Sequence, residues 1–305
     1  MEYRDGTIWC SEDLDKNYVE FNDKLYKIEA FTKREQSRGG MGGNSKVFKL
    51  FDPDNEDEIF DIIKFCKYPL STEDSGDIKR IERFKKEIRA LKQARDADLT
   101  NIVHIMFNDA KTIDGQDFLY YAMERADSDL LDYFNSNIIS DQQKLLLCLQ
   151  VCAGIQQLHE LGYYHRDIKP ENVFFFESLW KIGDLGLIAS RAEDQTLDAI
   201  KEKIGPTGWL SPEAVNKLLC EGTPQEVRHC CQIWDYSDVF QLGNLIWYVF
   251  EGTAPVGLVE DSDWQTTSKE LYDLIRQMLQ HSKDRRPKLN NVIDRLTALA
   301  PAFGA

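Results

Sequence analysis

The sequence predicts an α+β protein in two lobes, and three observations carry that reading. The first third alternates apolar and polar residues, as in Leu25 to Phe31, the period of half-buried strands. From Asp77 the period becomes helical, with Ile78, Ile81, Phe84, Ile88 and Leu91 on one apolar stripe. Beyond Asp129 helical spacing dominates. Strands gathered first and helices gathered after give separate layers, not alternating βαβ units. The expected layout is therefore a strand-rich N-terminal piece with one main helix, followed by a helical C-terminal piece.

The elements follow in order. Val47 to Phe51 and Ile59 to Phe65 read as strands flanking the acidic tip Asp52 to Glu58, a solvated hairpin end. Ser71 to Asp77 is a loop before the helix. Two further strands are expected at Ile102 to Lys111 and Phe118 to Met123, joined by the turn signal Asp114-Gly115. Ser140 with Gln143 spells a capping box, and Leu145, Leu149, Cys152, Ile155 and Leu158 keep helical spacing until Gly162. Val239 to Phe250 is the longest apolar stretch; Gln241, Gly243 and Asn244 interrupt it, so it reads as a buried core helix and not a membrane span. Leu271 to Gln280 and Leu289 to Leu299 are amphipathic helices, and the small apolar tail Ala300 to Ala305 reads as an artificial or processed end.

Composition narrows the function. Fifty-two acidic against 37 basic residues give a net charge of -15 over 305 residues. Such a field repels nucleic acid and anionic membranes, so neither is expected as a partner. No basic-then-apolar leader pattern stands over Met1 to Asp15, and the seven cysteines show no CxxC pair. A cytoplasmic protein with reduced thiols is the expectation. Cys220, His229, Cys230 and Cys231 could suggest zinc, but adjacent ligands rarely match zinc-motif geometry.

The chemistry concentrates in His165-Arg166-Asp167-Ile168-Lys169-Pro170-Glu171-Asn172, followed by Gly183-Asp184-Leu185-Gly186. Carboxylates, an amide and a lysine in one turn can hold a divalent cation through oxygen and orient a hydroxyl nucleophile. Any one Asp alone would be an ordinary turn residue; the string as a whole is not.

At these residues the sequence resembles the eukaryotic-type protein kinases, from Leu25 to Leu296. His165, Arg166, Asp167 and Asn172 match the family's catalytic loop in order, with Lys169 as in its serine/threonine members. Asp184-Leu185-Gly186 matches the metal-binding Asp-Phe-Gly motif with leucine at the centre. Gly40-Met41-Gly42-Gly43-Asn44-Ser45-Lys46-Val47 resembles the glycine-rich phosphate loop, Ser45 standing at the third glycine. Lys64 resembles the strand lysine that meets the α/β-phosphates, with Glu87 its implied partner; otherwise each would be a surface charge. By position Ile62 and Val47 would line the adenine pocket, Met123 would be the gatekeeper, and the backbone of Glu124 and Ala126 would bond adenine. Asp129 is either a ribose contact or a helix N-cap. Ser211-Pro212-Glu213 resembles the end of the activation segment, Glu213 pairing with Arg286, and Asp238 resembles the core-helix brace of the catalytic loop.

The resemblance implies a two-lobed kinase domain over 25–299, with an extension over 1–24, a small β-rich lobe over 25–123, a hinge over 124–128, a larger helical lobe over 129–299 and a tail over 300–305. It also implies a reaction using ATP and Mg²⁺, with Mn²⁺ as a substitute, on serine or threonine of protein substrates. Asp167 would be the base, Lys169 would face the γ-phosphate, and Asn172 and Asp184 would hold metal. Arg166 beside Asp167 implies control by phosphate on the activation segment, with Ser190, Thr196 and Thr207 as acceptors. Three departures stand out. Pro206 occupies a threonine position, which resembles tyrosine kinases; the span from Glu213 to Asp238 is longer than usual, so 214–237 is either a solvent-exposed spacer or an insert that docks a partner; and residues 1–24 precede the domain. Two other readings compete: a kinase-like scaffold without catalysis, and a kinase of small molecules, against which Glu213 and Arg286 count.

Overall fold

Two short sequences with turn chemistry start the chain. β1 (Glu2–Arg4) and β2 (Thr7–Trp9) pair as a hairpin turned by Asp5 and Gly6, both at positive φ. β3 (Tyr18–Phe21) turns at Asn22 and Asp23 into β4 (Lys24–Glu29), followed by β5 (Ser45–Phe51), β6 (Phe60–Cys66), β7 (Ile105–Ile113) and β8 (Gln116–Met123). These six form one antiparallel sheet in the order β3-β4-β5-β6-β8-β7. The turn at Asp114-Gly115 has positive φ at both residues, the geometry of a tight hairpin, as the dipeptide predicts. The computed structural model describes residues 1–32, 43–55, 60–190, 197–255, 260–266 and 268–303. It divides into two compact units, Met1–Asp98 with Val103–Asp127, and Leu99–Ile102 with Ser128–Ala305.

Alternation sorts the first unit's side chains onto two faces. Val19, Ile28, Phe48, Leu50, Ile63, Phe65, Phe118 and Tyr120 gather into one core that Met1 and Ile8 close. Tyr3 adds a ring 4.8 Å from Phe118. Residues 1–24, expected as an extension, therefore supply three strands and part of this core. Lys64 and Tyr121, cross-strand neighbours, lie on the opposite alternation and meet the helix α1 (Ser75–Asp96). Asp74 caps α1 by accepting from the Asp77 N–H. Ile81, Phe84, Ile88 and Leu91 are buried as the stripe predicts, but Ile78 is exposed, because it sits in the first turn before the packed part begins.

The second unit is mainly helical: β9 (Ser128–Asp129), α2 (Leu130–Ser136), α3 (Asp141–Glu160), β10 (Tyr163–Tyr164), β11 (Val173–Phe176), β12 (Leu179–Ile182), β13 (Ala189–Ser190), α4 (Pro212–Cys220), α5 (Asp235–Glu251), α6 (Lys269–Met278) and α7 (Leu289–Phe303). The capping box of Ser140 and Gln143 is formed, and Gly162 follows α3 at φ +81°. The strand expected from Ile102 begins only at Ile105. Residues 99–102 belong instead to the second unit, where Ile102 bridges Ile182 and the Asn101 backbone crosses α3 at Gly154. A Cβ on Gly154 would lie 2.5 Å from the Asn101 carbonyl oxygen, so only glycine permits that crossing.

α5 is the expected core helix, with Val239, Leu242, Leu245, Ile246 and Val249 buried. α7 runs on to Phe303 through Pro301, past the expected end at Leu299, because Phe303 packs its ring against Phe250 at 5.8 Å. Among the described residues no helix is long and apolar enough to cross a membrane.

Candidate functional site

In the first unit the predicted cation and anion meet. Lys64 Nζ stands 2.8 Å from Glu87 Oε1, their side chains 8% and 2% exposed. The Tyr121 hydroxyl donates to the same Glu87 oxygen at 2.8 Å. Glu87 is carried inward by α1, Lys64 by β6 and Tyr121 by β8, so three elements fix one carboxylate. Two charge-assisted hydrogen bonds offset the desolvation that a lone buried glutamate would suffer.

Other predicted residues stand on the neighbouring strands. Val47 is the cross-strand partner of Lys64, and Ile62 that of Met123. Ser45, buried, starts β5, and the Gly43 carbonyl accepts from Lys67 Nζ at 3.1 Å. Gly40 and Gly42 lie outside the described residues. The Glu124 N–H donates to the His104 carbonyl at 3.1 Å, and its carboxylate accepts from the His104 N–H at 2.6 Å. That N–H is therefore engaged within the protein. Asp129, in the second unit, acts as the N-cap of α2, accepting from the Asp132 N–H at 2.8 Å.

The second unit assembles the rest of the predicted set around Asp167. Its carboxylate Oδ2 accepts from Lys169 Nζ at 3.1 Å and from Asn172 Nδ2 at 2.8 Å, and Asn172 Nδ2 also bonds the Asp167 carbonyl. Burial raises the Asp167 pKa above the ordinary carboxylate value; the nearby Lys169 charge opposes the rise, and Asp184 adds to it. Asp184 follows Gly183, whose N–H donates to the Asn172 carbonyl at 3.0 Å, and has φ +52°.

The turn that presents Asp167 is held from below. Arg166 has φ +66°, a costly conformation for arginine. Asp238 on α5, fully buried, accepts from the backbone N–H groups of His165 and Arg166, each at 2.8 Å, and contacts His159 Nε2 at 2.9 Å. One turn on, Gln241 accepts from the Ile168 N–H and donates to the Arg166 carbonyl. The His165 ring bridges Gly183 and Asp167: Nδ1 accepts from the Asp167 N–H, so Nε2 carries the proton and donates to the Gly183 carbonyl. Glu213 and Arg286 form the predicted buried pair at 2.9 Å, with Ser237 Oγ also donating to Glu213.

The long 214–237 span holds most of α4, a short 3₁₀ turn at Glu226–Arg228 and the start of α5. Among the described residues no group of three His, Cys, Asp or Glu side chains could hold a metal ion. Thr207 Oγ1 accepts from Lys203 Nζ at 2.8 Å; Thr196 lies outside the described residues.

Tyr121, Gln241, His159 and Asp198 were not picked out by the sequence. Gln241 has a legible signal, since it sits three residues after Asp238 on one helix face. Tyr121 shares its strand face with Met123 by alternation. His159 and Asp198 have none, because their partners come from distant parts of the chain.

Comparison with known proteins bears on this geometry. The family described as "Protein kinase domain" matches residues 34–296. Similar proteins include the serine/threonine-protein kinase MPS1 of Saccharomyces cerevisiae, 28% identical over 79% of this chain and 30% of its own length. The dual specificity protein kinase TTK of Mus musculus is 24% identical over 78% of this chain and 25% of its own. The serine/threonine-protein kinase Nek5 of Homo sapiens is 25% identical over 79% and 33%. The chain thus spans about a third or less of the length of these relatives.

Proposed function

Because the chain belongs to the protein kinase domain family, we propose that it transfers the γ-phosphate of ATP to serine or threonine hydroxyls of protein substrates. The observation that carries this reading is the Asp167 carboxylate held by both the Lys169 ammonium and the Asn172 amide. A base needs a fixed direction and a proton affinity near its task. The two donors fix the direction, and burial raises the affinity.

Asn172 and Asp184 offer an amide carbonyl and a carboxylate, hard oxygen donors that suit Mg²⁺, with Mn²⁺ as a substitute. The Asn172 Nδ2 end is committed to Asp167, which turns its oxygen away as the ligating atom. When bound, Mg²⁺ neutralises phosphate charge as the transferred group moves. Lys64, oriented by Glu87, would bind the α/β-phosphates, and the glycine-rich loop Gly40, Gly42, Gly43 and Ser45 would approach them by backbone N–H groups. Val47, Ile62 and Met123 would contact adenine, with the Glu124 carbonyl and the Ala126 backbone as its hydrogen-bond partners. Asp129, already capping α2, would reach the ribose with its second oxygen. Asp167 would accept the substrate hydroxyl proton, a contribution of about 10²–10⁴-fold. Lys169 would face the γ-phosphoryl group.

Serine or threonine preference is supported by Lys169 and by the names of two of the relatives above. A dual specificity relative and Pro206 make tyrosine the alternative acceptor. The free cysteines fit a reducing cytoplasmic setting, and 214–237, with Val227 exposed, would be the surface for a protein partner.

The test is transfer of labelled γ-phosphate from Mg·ATP to a basic protein, wild type against Asp167→Asn, with phosphoamino-acid analysis. Labelled serine or threonine that is lost in the variant is the expected result. Equal labelling by both proteins, or none by wild type, refutes the reading.

A further inference from the structure

Arg166 implies a phosphate partner by resemblance, yet its guanidinium is already engaged. Nη1 and Nη2 donate to the two oxygens of Asp198 at 2.6 and 3.3 Å, and Nε donates to the Leu187 carbonyl at 2.8 Å. The two side chains are 5% and 9% exposed. A fork-to-carboxylate pair of this kind satisfies the charge and the planar geometry of arginine together. We infer that Asp198 is a positioning residue: its carboxylate anchors the activation segment to the catalytic loop, so the segment is set without phosphorylation. This rests on the kinase reading above for its effect on rate.

Two further contacts continue the anchor along the segment. The Lys201 N–H donates to Glu221 Oε2 at 2.9 Å, and Glu221 is held by Lys217 Nζ at 2.6 Å. Gly205, at φ +104°, brings the segment back against the Arg166 carbonyl, where an added Cβ would stand 3.1 Å away. Residues 198 and 201 are thus tied to fixed partners, and Gly205 lies close against the Arg166 backbone.

Charge argues the same way. A cavity of about 470 Å³ beside the pair is lined by Arg166, Ser190, Asp198, Lys217, Glu221 and Glu226, among others. Its arginine and its lysine each have a carboxylate partner, and Glu226 adds a further negative charge. A phosphate placed on Ser190 would meet like charge and would have to displace Asp198 to reach the guanidinium. The carboxylate already performs the task that a phosphate would perform at a vacant arginine.

The experiment uses the full chain, treated with a broad-specificity phosphatase until its mass is phosphate-free. It measures kcat on a basic protein with Mg·ATP and hydrogen exchange over residues 198–205, for wild type, Asp198→Asn and Asp198→Glu. Phosphate-free wild type should keep its rate within about twofold of untreated protein and keep slow exchange in the segment. Asp198→Asn should lose about tenfold in kcat and exchange faster there, since a neutral amide cannot match the bidentate charge, while Asp198→Glu recovers part of both. Loss of rate and protection on phosphatase treatment, regained when phosphate is restored, overturns the inference. So does unchanged exchange in Asp198→Asn. If that variant does not fold, the phosphatase arm on wild type decides. Slow exchange in a phosphate-free wild type that transfers nothing would support the anchor and remove the kinase reading instead.

Discussion

Asp238→Asn isolates a single charge at the centre of the loop support. The carboxylate is fully buried and accepts two backbone N–H groups while contacting His159. Asparagine keeps the shape but has one acceptor oxygen and turns an NH₂ toward one of those N–H groups. A charged hydrogen bond worth about 1.5–3 kcal/mol is lost, and the buried N–H left without an acceptor costs about 1–3 kcal/mol more. The sum is about 2.5–6 kcal/mol. At about 2–4 °C per kcal/mol for a unit of this size, melting should fall by roughly 5–24 °C. The αL turn at Arg166 would also relax, so transfer activity should fall even at temperatures where the variant remains folded. Thermal unfolding followed by tryptophan fluorescence, with kcat measured well below the transition, tests both parts. A melting shift under about 2 °C with unchanged kcat would show that the loop does not depend on this carboxylate.

Lys169→Met removes a cation that favours the Asp167 carboxylate. The already raised pKa should rise further, so the acid limb of the kcat profile moves to higher pH, as a pH series of transfer rates would read. A limb that stays in place or moves down contradicts the assigned pairing. Tyr121→Phe strips a hydrogen bond from Glu87 and should cost about 1–2 kcal/mol in stability. It should also weaken Mg·ATP binding, which nucleotide titration would measure; unchanged values for both would sever Tyr121 from the pair. Gly154→Ala forces a Cβ into the Asn101 carbonyl, with an expected loss of about 1–3 kcal/mol by thermal denaturation. A neutral effect would mean that residues 99–102 can shift away from α3.

What was legible in the sequence was short in range or distinctive in motif. The Ser140–Gln143 cap and the Asp114-Gly115 turn are complete within four residues, so local spacing suffices to read them. Lys64 with Glu87 and Glu213 with Arg286 were reached through motif resemblance, since 23 and 73 residues separate the partners. Tyr121 and Asp198 escaped notice because their partners are set by tertiary packing. Asp198 follows an acidic stretch in which no local pattern distinguishes one carboxylate from another. The strands of residues 1–24 were missed for a different reason. Three and four residues are too few to display a period of two, although Asp5-Gly6 is itself a turn signal.

The interrupted apolar run of α5 joins the two levels. Gln241, which helps to disqualify that stretch as a membrane span, contacts the Ile168 N–H and the Arg166 carbonyl. Three residues earlier on the same helix, Asp238 takes the two N–H groups just before them. One helical face thus supplies, in order, the acceptors and the donor that a strained four-residue turn requires. Such buried polar groups would destabilise a core helix if they lacked partners. Here their partners are the backbone of the loop that presents Asp167. The apolar residues of α5 fix the helix in the core, and the polar exceptions pass that rigidity to the residue proposed as the base.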